Sequence, residues 1–311
     1  MLSLAGDRLT TILFHRFFFP GEAAQASRDR LKRQCDWMRS NFTPLGLRSA
    51  LDGLQSGTLP KRPILITIDD AKVEIMRVAD IFADFGLPIS IFACVGWCAK
   101  ETPDEAGLLA RVVNRIEWYD GPAMTIESTW GPLALAADRA QRKSLVDLVL
   151  DHAEGRRVEL ETLLERLDEA APPDRTRITC SWAELAQLMQ GGVEIGGHSV
   201  SHVNLAKSSR RRMEFEIAET RRLLALKLGK CDVFAYPYGM EGTCSPETTE
   251  LLQQNGFRFA FLTHSDFANT RTDQMYLPRI ALPDRPMSHA EFCLRAAGAG
   301  VVYRKLKRMR N

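Results

Sequence analysis

Several polar residues stand just past short apolar runs, and their types are those of hydrolytic chemistry. Asp69 and Asp70 follow PILITI, His198 and His202 follow VEIGG, Pro237, Tyr238 and Gly239 follow VFAY, and His264 follows FAFLT. Two imidazoles and one carboxylate offer a divalent cation two nitrogens and an oxygen, a borderline-soft set that suits zinc and also accepts cobalt, iron or manganese. A second carboxylate beside such an ion can take a proton from bound water. The four-residue spacing of HSVSH (198–202) predicts both imidazoles on one side of a helical turn. Each feature also has an ordinary reading: the Asp pair as a helix cap, PYG as a plain turn, His264 as a solvated loop residue.

The elements that must position these residues recur in a regular order. Runs at 10–14, 63–68, 89–95, 193–196, 233–236, 259–263 and 277–282 read as buried strands. Amphipathic patterns separate most of them. Ile75, Val78, Ala79, Phe82 and Phe85 form one stripe closed by Gly86, and Met213, Ile217, Leu224 and Leu228 form another closed by Gly229. Ser181 with Glu184 makes a capping box, and Ser245 caps a helix with Pro246 in its first turn. Strand and helix in alternation predict a parallel sheet, and seven strands predict closure into a barrel whose chemistry sits at the C-terminal strand ends. Successive strand residues face opposite ways, so Asp69 and Asp70 must sit on the turn leaving the strand to share one ion. Between Trp97 and Thr179 only helical stretches are expected, closed by APPDRT, which reads as an insertion at about 98–178 in one domain spanning 1–311.

Composition bounds the rest. The chain has 311 residues, 45% hydrophobic and 26% charged, as in a globular protein. With 41 basic and 39 acidic residues, no general attraction to nucleic acid is expected. Seven scattered cysteines without a CxxC pair argue against a disulfide framework and for reduced thiols in the cytoplasm. MLSLAGDRLTTILFH lacks a basic leader, and no run is apolar enough to span a membrane. The terminal VVYRKLKRMRN, with Arg304, Lys305, Lys307, Arg308 and Arg310, suits peripheral contact with an anionic inner membrane face, or a solvated helix end.

TIDD (67–70), HSVSH (198–202) and AYPYG (235–239), in that order, resemble the motifs of the polysaccharide deacetylases, and TILFHRF and LPRI extend the likeness toward both ends. The resemblance implies a distorted (β/α)7 barrel with the helical insertion between the third and fourth strands. It implies a metal, most simply zinc, on Asp70, His198 and His202, with Asp69 as base. It further implies oxyanion support from the Tyr238 amide beside Pro237, an acid histidine for which His264 of LTH is the candidate, and an N- or O-acetylated sugar of a surface polysaccharide as substrate. Ala71 and Lys72 stand where the family often has glycine and an aromatic residue. Ala235 replaces the arginine that holds the base, with Arg279 of LPRI as the candidate substitute. These departures support a rival reading, a sugar-binding protein that keeps the fold without catalysis. An iron oxygenase, the other rival, places its carboxylate two residues after the first histidine, where Val200 stands.

Overall fold

The computed structural model describes residues 5–98, 108–117, 119, 122–128, 131–135, 139–153, 156–170, 179–229 and 231–308; APPDRT and the last three residues of the basic tail lie outside these. Its strands are β1 (Thr10–Phe14), β2 (Thr43–Leu45), β3 (Pro63–Asp69), β4 (Ile89–Ala93), β5 (Met124–Ser128), β6 (Gly131–Leu135), β7 (Glu194–Gly197), β8 (Val233–Ala235), β9 (Phe259–Phe261) and β10 (Ile280–Ala281). Its helices are α1 (Ala24–Asn41), α2 (Leu47–Ser56), α3 (Ala79–Asp84), α4 (Val95–Cys98), α5 (Leu108–Glu117), α6 (Arg139–His152), α7 (Arg157–Ala170), α8 (Trp182–Gln190), α9 (Arg210–Leu228), α10 (Pro246–Gln254), α11 (His289–Ala296) and α12 (Ala299–Arg308).

The main sheet runs β10, β1, β3, β4, β7, β8, β9, with every neighbouring pair parallel, and β2 joins the start of β3. It curls into an incomplete barrel. Among the described residues its two ends meet through a single parallel bridge, Phe261 to Leu277, because β10 is only two residues long. This is the distorted barrel that the strand count and the resemblance imply.

Residue parity decides what faces inward. Leu65, Phe92, Val233, Ala235, Phe259, Phe261 and Leu277 form one buried cluster, and Leu47, Leu51 and Leu54 of α2 belong to it. Ile64, Ile66 and Ile68 of β3 and Ile91 of β4 point the other way, into the larger cluster shared with the outer helices. Counting in twos from Leu65 through Thr67 reaches Asp69, so the apolar packing of β3 aims that carboxylate into the barrel. The same count from Gly196, opposite Phe92 in the sheet, reaches His198. Gly196 is required there: a Cβ would meet Cε1 of Phe92 at 2.4 Å.

The helix caps at Ser181 with Glu184 and at Ser245 appear as expected, and Ser209 also accepts a backbone N–H at the start of α9. Two expectations are corrected. The stripe from Ile75 to Phe85 is not one helix: a 3-10 turn, Val73–Arg77, ends at Val78, where φ is −136°, and α3 follows. The insertion is not purely helical, since β5 and β6 pair as an antiparallel hairpin. Its signal is a period of two, with Ile126 and Leu133 buried between exposed neighbours and Leu135 buried after exposed Ala134. The hairpin packs with α5, α6 and α7 around a second core that includes Val112, Val113, Ile116, Val149 and Leu167.

Gly196→Ala tests the inward packing of Phe92. The added methyl overfills the barrel and is expected to lower unfolding free energy by about 1–3 kcal/mol in a urea titration; an unchanged midpoint would contradict the tight contact.

Candidate active site

Three ligand atoms converge at the C-terminal mouth of the barrel. One each from Asp70, His198 and His202 lie within 4.8 Å of one another. Asp70 Oδ1 stands 3.7 Å from His198 Nε2 and 3.5 Å from His202 Nε2. That oxygen is buried and accepts no hydrogen bond, which is costly unless something cationic sits against it. His198 Nδ1 lies 2.7 Å from the carbonyl of Ala235. Donation to that oxygen puts the ring proton on Nδ1 and leaves the Nε2 lone pair facing Asp70, the usual preparation of an imidazole ligand. Burial, with the nearby His198, drives the His202 pKa down to about 4, so this ring is neutral at pH 7. The donor set and the orphaned oxygen fit a divalent cation.

The turns that bring these groups together are strained. Asp70 and Ala71 leave β3 with φ of +71° and +51°, which swings Asp70 to the same side as Asp69. The backbone is pinned there from the far end of the insertion, where the Cys180 N–H donates to the Ala71 carbonyl at 2.8 Å. The histidines do not ride on a helix, contrary to the expectation from their spacing. They sit on an irregular loop in which Ser199 and His202 are left-handed, with φ of +66° and +54°, and Ser199 Oγ accepts the His202 N–H at 2.9 Å. The loop packs on α4, where a Cβ at Gly96 would meet the Val200 carbonyl at 2.6 Å. Trp97 stacks on the His202 ring at 5.5 Å, and Tyr238, itself at φ +65°, meets its edge at 4.7 Å.

Asp69 lies beside this triad, its Oδ2 3.7 Å from His198 Nε2. Arg279, fully buried just before β10, clamps both carboxylate oxygens at 2.7 and 2.8 Å. It therefore stands in space where the arginine replaced by Ala235 would be expected to act. Burial alone would raise the Asp69 pKa, but Arg279 and His198 outweigh it and hold the carboxyl well below the usual range. Lys72 points inward, donating to Asp70 Oδ2 at 2.7 Å and leaving Oδ1 to the histidines. Burial likewise opposes ionisation of Asp70, and His198 and Lys72 reverse it, so its pKa is lowered.

His264 is not brought to this cluster. It is exposed after β9, lining a cavity of about 320 Å³ with Met240, Glu241, Asp266, Arg304 and Lys305. His15 is a further histidine at this end of the barrel that no paired motif singles out. It follows β1 as the other candidates follow their strands, and because Phe14 pairs with Ile68 it leaves the sheet level with Asp69. Its Nδ1 lies 3.9 Å from Asp284. The signal was present, a histidine directly past the apolar run TTILF.

A parallel α/β barrel with two histidines and two aspartates gathered at its strand ends has the groups that metal-assisted hydrolysis needs. A family model described as polysaccharide deacetylase matches residues 159–269, the stretch carrying HSVSH and AYPYG. Over that stretch, and in its fold, the chain resembles the polysaccharide deacetylases. No curated protein matches significantly. Among solved structures, IcaB from Ammonifex degensii aligns with TM-score 0.59 at 18% identity over 94% of this chain and 97% of its own. The Streptococcus pyogenes deacetylase PplD, solved with acetate, aligns at TM-score 0.59 and 12% identity over 88% and 92%. The BpsB deacetylase domain from Bordetella bronchiseptica gives 0.54 and 14% over 89% and 96%. At these identities the likeness is one of fold.

Lys72 offers a direct test of the electrostatics. An ammonium held on the same carboxylate as a divalent ion would repel it by several kcal/mol even at an effective dielectric of about 20. One charged hydrogen bond to Asp70 returns only about 1.5–3 kcal/mol. Lys72→Met is therefore expected to tighten zinc binding by about tenfold or more in a chelator competition, and weaker binding would show that its hold on Asp70 dominates.

Proposed function

We propose that the protein removes an acetyl group from an N-acetylated sugar of a surface polysaccharide or its precursor, using a divalent metal, most simply zinc. The observation that carries this reading is the orphaned Asp70 Oδ1 facing two Nε2 atoms, next to a carboxylate clamped by arginine. An ion held by Asp70, His198 and His202 would acidify water and polarise the acetamide carbonyl. Asp69, kept ionised and oriented by Arg279, accepts the water's proton. The Tyr238 N–H, after Pro237, supports the oxyanion. His15, which leaves β1 level with Asp69, is better placed than the exposed His264 to give the leaving amine its proton. A groove of about 610 Å³ beside Tyr238, walled by Lys143, Asn204, Lys207 and Met240, has room for adjoining sugar.

The Lys72–Asp70 ion pair favours the rival reading, a carbohydrate-binding chain with a weakened metal site. Acetate release and metal content separate the two. Asp69→Asn is expected to cut acetate release from N-acetylglucosamine oligomers by roughly a hundredfold or more with metal retained. Asp70→Asn should lose both. His15→Ala should cost more than His264→Ala. Full activity in Asp69→Asn refutes the mechanism, and a wild-type chain that neither holds metal nor releases acetate supports the binding protein.

We also propose a cytoplasmic location, peripheral at the inner membrane face. No helix among the described residues is long and apolar enough to cross a membrane. On α12, Tyr303 and Leu306 are exposed at 68% and 55%, among Arg304, Lys305 and Lys307. Binding to phosphatidylserine vesicles should weaken with salt and be lost on deleting residues 301–311; salt-insensitive binding, or none, counts against it.

A further inference from the structure

The loop between the two histidines rests on a buried charge network outside the ligand set. Glu216 of α9 is fully buried, and its Oε2 accepts the N–H groups of Val200 at 2.7 Å and Ser201 at 3.0 Å. Its Oε1 accepts the Ser201 hydroxyl at 2.5 Å and Arg212 Nε at 2.7 Å. Arg212, 1% exposed, also donates to Ser201 Oγ at 2.7 Å, and its Nη2 lies 3.7 Å from Glu117 at the end of α5. The insertion thus reaches the loop's support. It grips the connecting segment again where Asp147 accepts the Ser209 hydroxyl at 2.7 Å, the Leu150 carbonyl accepts Arg211 at 2.7 Å, and Lys143 donates to the Lys207 carbonyl.

A loop holding Ser199 and His202 in the left-handed region costs about 1–2 kcal/mol for each residue and persists only when its surroundings over-determine it. Glu216 supplies that determination from below, by taking the two N–H groups between the histidines. The insertion supplies it from outside, by fixing the chain between the loop and α9. Neither acts on substrate.

We propose that Glu216 and Arg212 are positioning residues that preset the two histidines for metal, and that the insertion, through Glu117 and Asp147, is the outer half of the same clamp. The inference rests on the metal reading of Asp70, His198 and His202. Its consequence is that the strength of metal binding depends on residues outside the barrel.

The full-length chain is tested by zinc competition against a chelator, by the visible absorption of its cobalt form, and by thermal unfolding in chelator. Ser201→Ala and Glu216→Ala are expected to weaken zinc by about tenfold or more and to change the cobalt spectrum. Glu216→Gln, which keeps a carbonyl acceptor, should recover part of the loss. Because Glu216→Ala strands the Arg212 charge and can unfold the chain, the pair Glu117→Gln and Asp147→Ala is the second probe, expected to weaken zinc severalfold while the chelated protein melts almost as before. Unchanged zinc affinity and cobalt spectrum in Ser201→Ala and in that pair overturn the proposal. So does a loss that tracks melting temperature alone, with Glu216→Gln no better than Glu216→Ala. A wild-type chain that takes up no zinc or cobalt removes the metal reading itself.

Discussion

A guanidinium with no solvent exposure faces a carboxylate with almost none, and the barrel is arranged around that contact. Stripping water from either ion costs several kcal/mol, so the Arg279–Asp69 pair is tolerable only with near-complete satisfaction of both. The structure provides it. Two parallel N–H bonds meet the two carboxylate oxygens, the Leu262 carbonyl takes Arg279 Nε at 2.8 Å, and the rings of Phe92 and Phe261 lie 5.5 and 5.8 Å from the guanidinium carbon. Removing one partner would strand the other's charge. The pair therefore couples the short strand β10 to the end of β3, although in the sheet the two are separated by β1.

From this contact the rest of the site follows by geometry. With Asp69 fixed inward, Asp70 can join it only through a left-handed turn, and its Oδ1 then meets the histidine nitrogens while Lys72 holds Oδ2. Ala235 can be small because the arginine comes from elsewhere, and its carbonyl is left to orient His198. The barrel interior beneath is filled by Phe92, Phe259 and Phe261, with Gly196 making space for the first of these. The apolar packing and the polar site are thus one construction, in which strand parity carries the alignment from the core to the mouth.

How much of this was legible in the sequence depends on whether a local rule governed the feature. The seven main strands and the caps at Ser181 and Ser245 follow from periodicity and capping chemistry, and the grouping of Asp70 with His198 and His202 from ligand type together with the family resemblance. What stayed hidden was set by tertiary contacts. The spacing of His198 and His202 fits a helix, but Glu216, fourteen residues beyond His202, holds the loop in another shape. The break at Val78 interrupts a sound helical stripe, while Glu74 in the preceding 3-10 turn accepts the Phe17 N–H at 2.7 Å and ties it to the loop after β1. The hairpin β5–β6 is short, and its alternation is diluted by the helices around it. His15 obeys the same strand-end rule, but no partner neighbours it in sequence to mark it out.

The clamp on Asp69 also limits what kind of base it would be in the proposed reaction. Arg279 keeps the carboxylate ionised, and a carboxylate held below its usual range has little intrinsic pull on a proton. Because its folded pKa is depressed, its ionised form is present above the unfolded value of 3.8 and is lost only as pH falls through the lower folded one. What Asp69 contributes is constant readiness and a fixed direction, not basicity. In the proposed reaction the driving force for proton transfer would then have to come from the acidity of the water, which a cation held by Asp70, His198 and His202 would supply. Arg279 and the metal-ligand set are complementary for that reason: the first makes a weak base permanent, and the second makes a weak base sufficient.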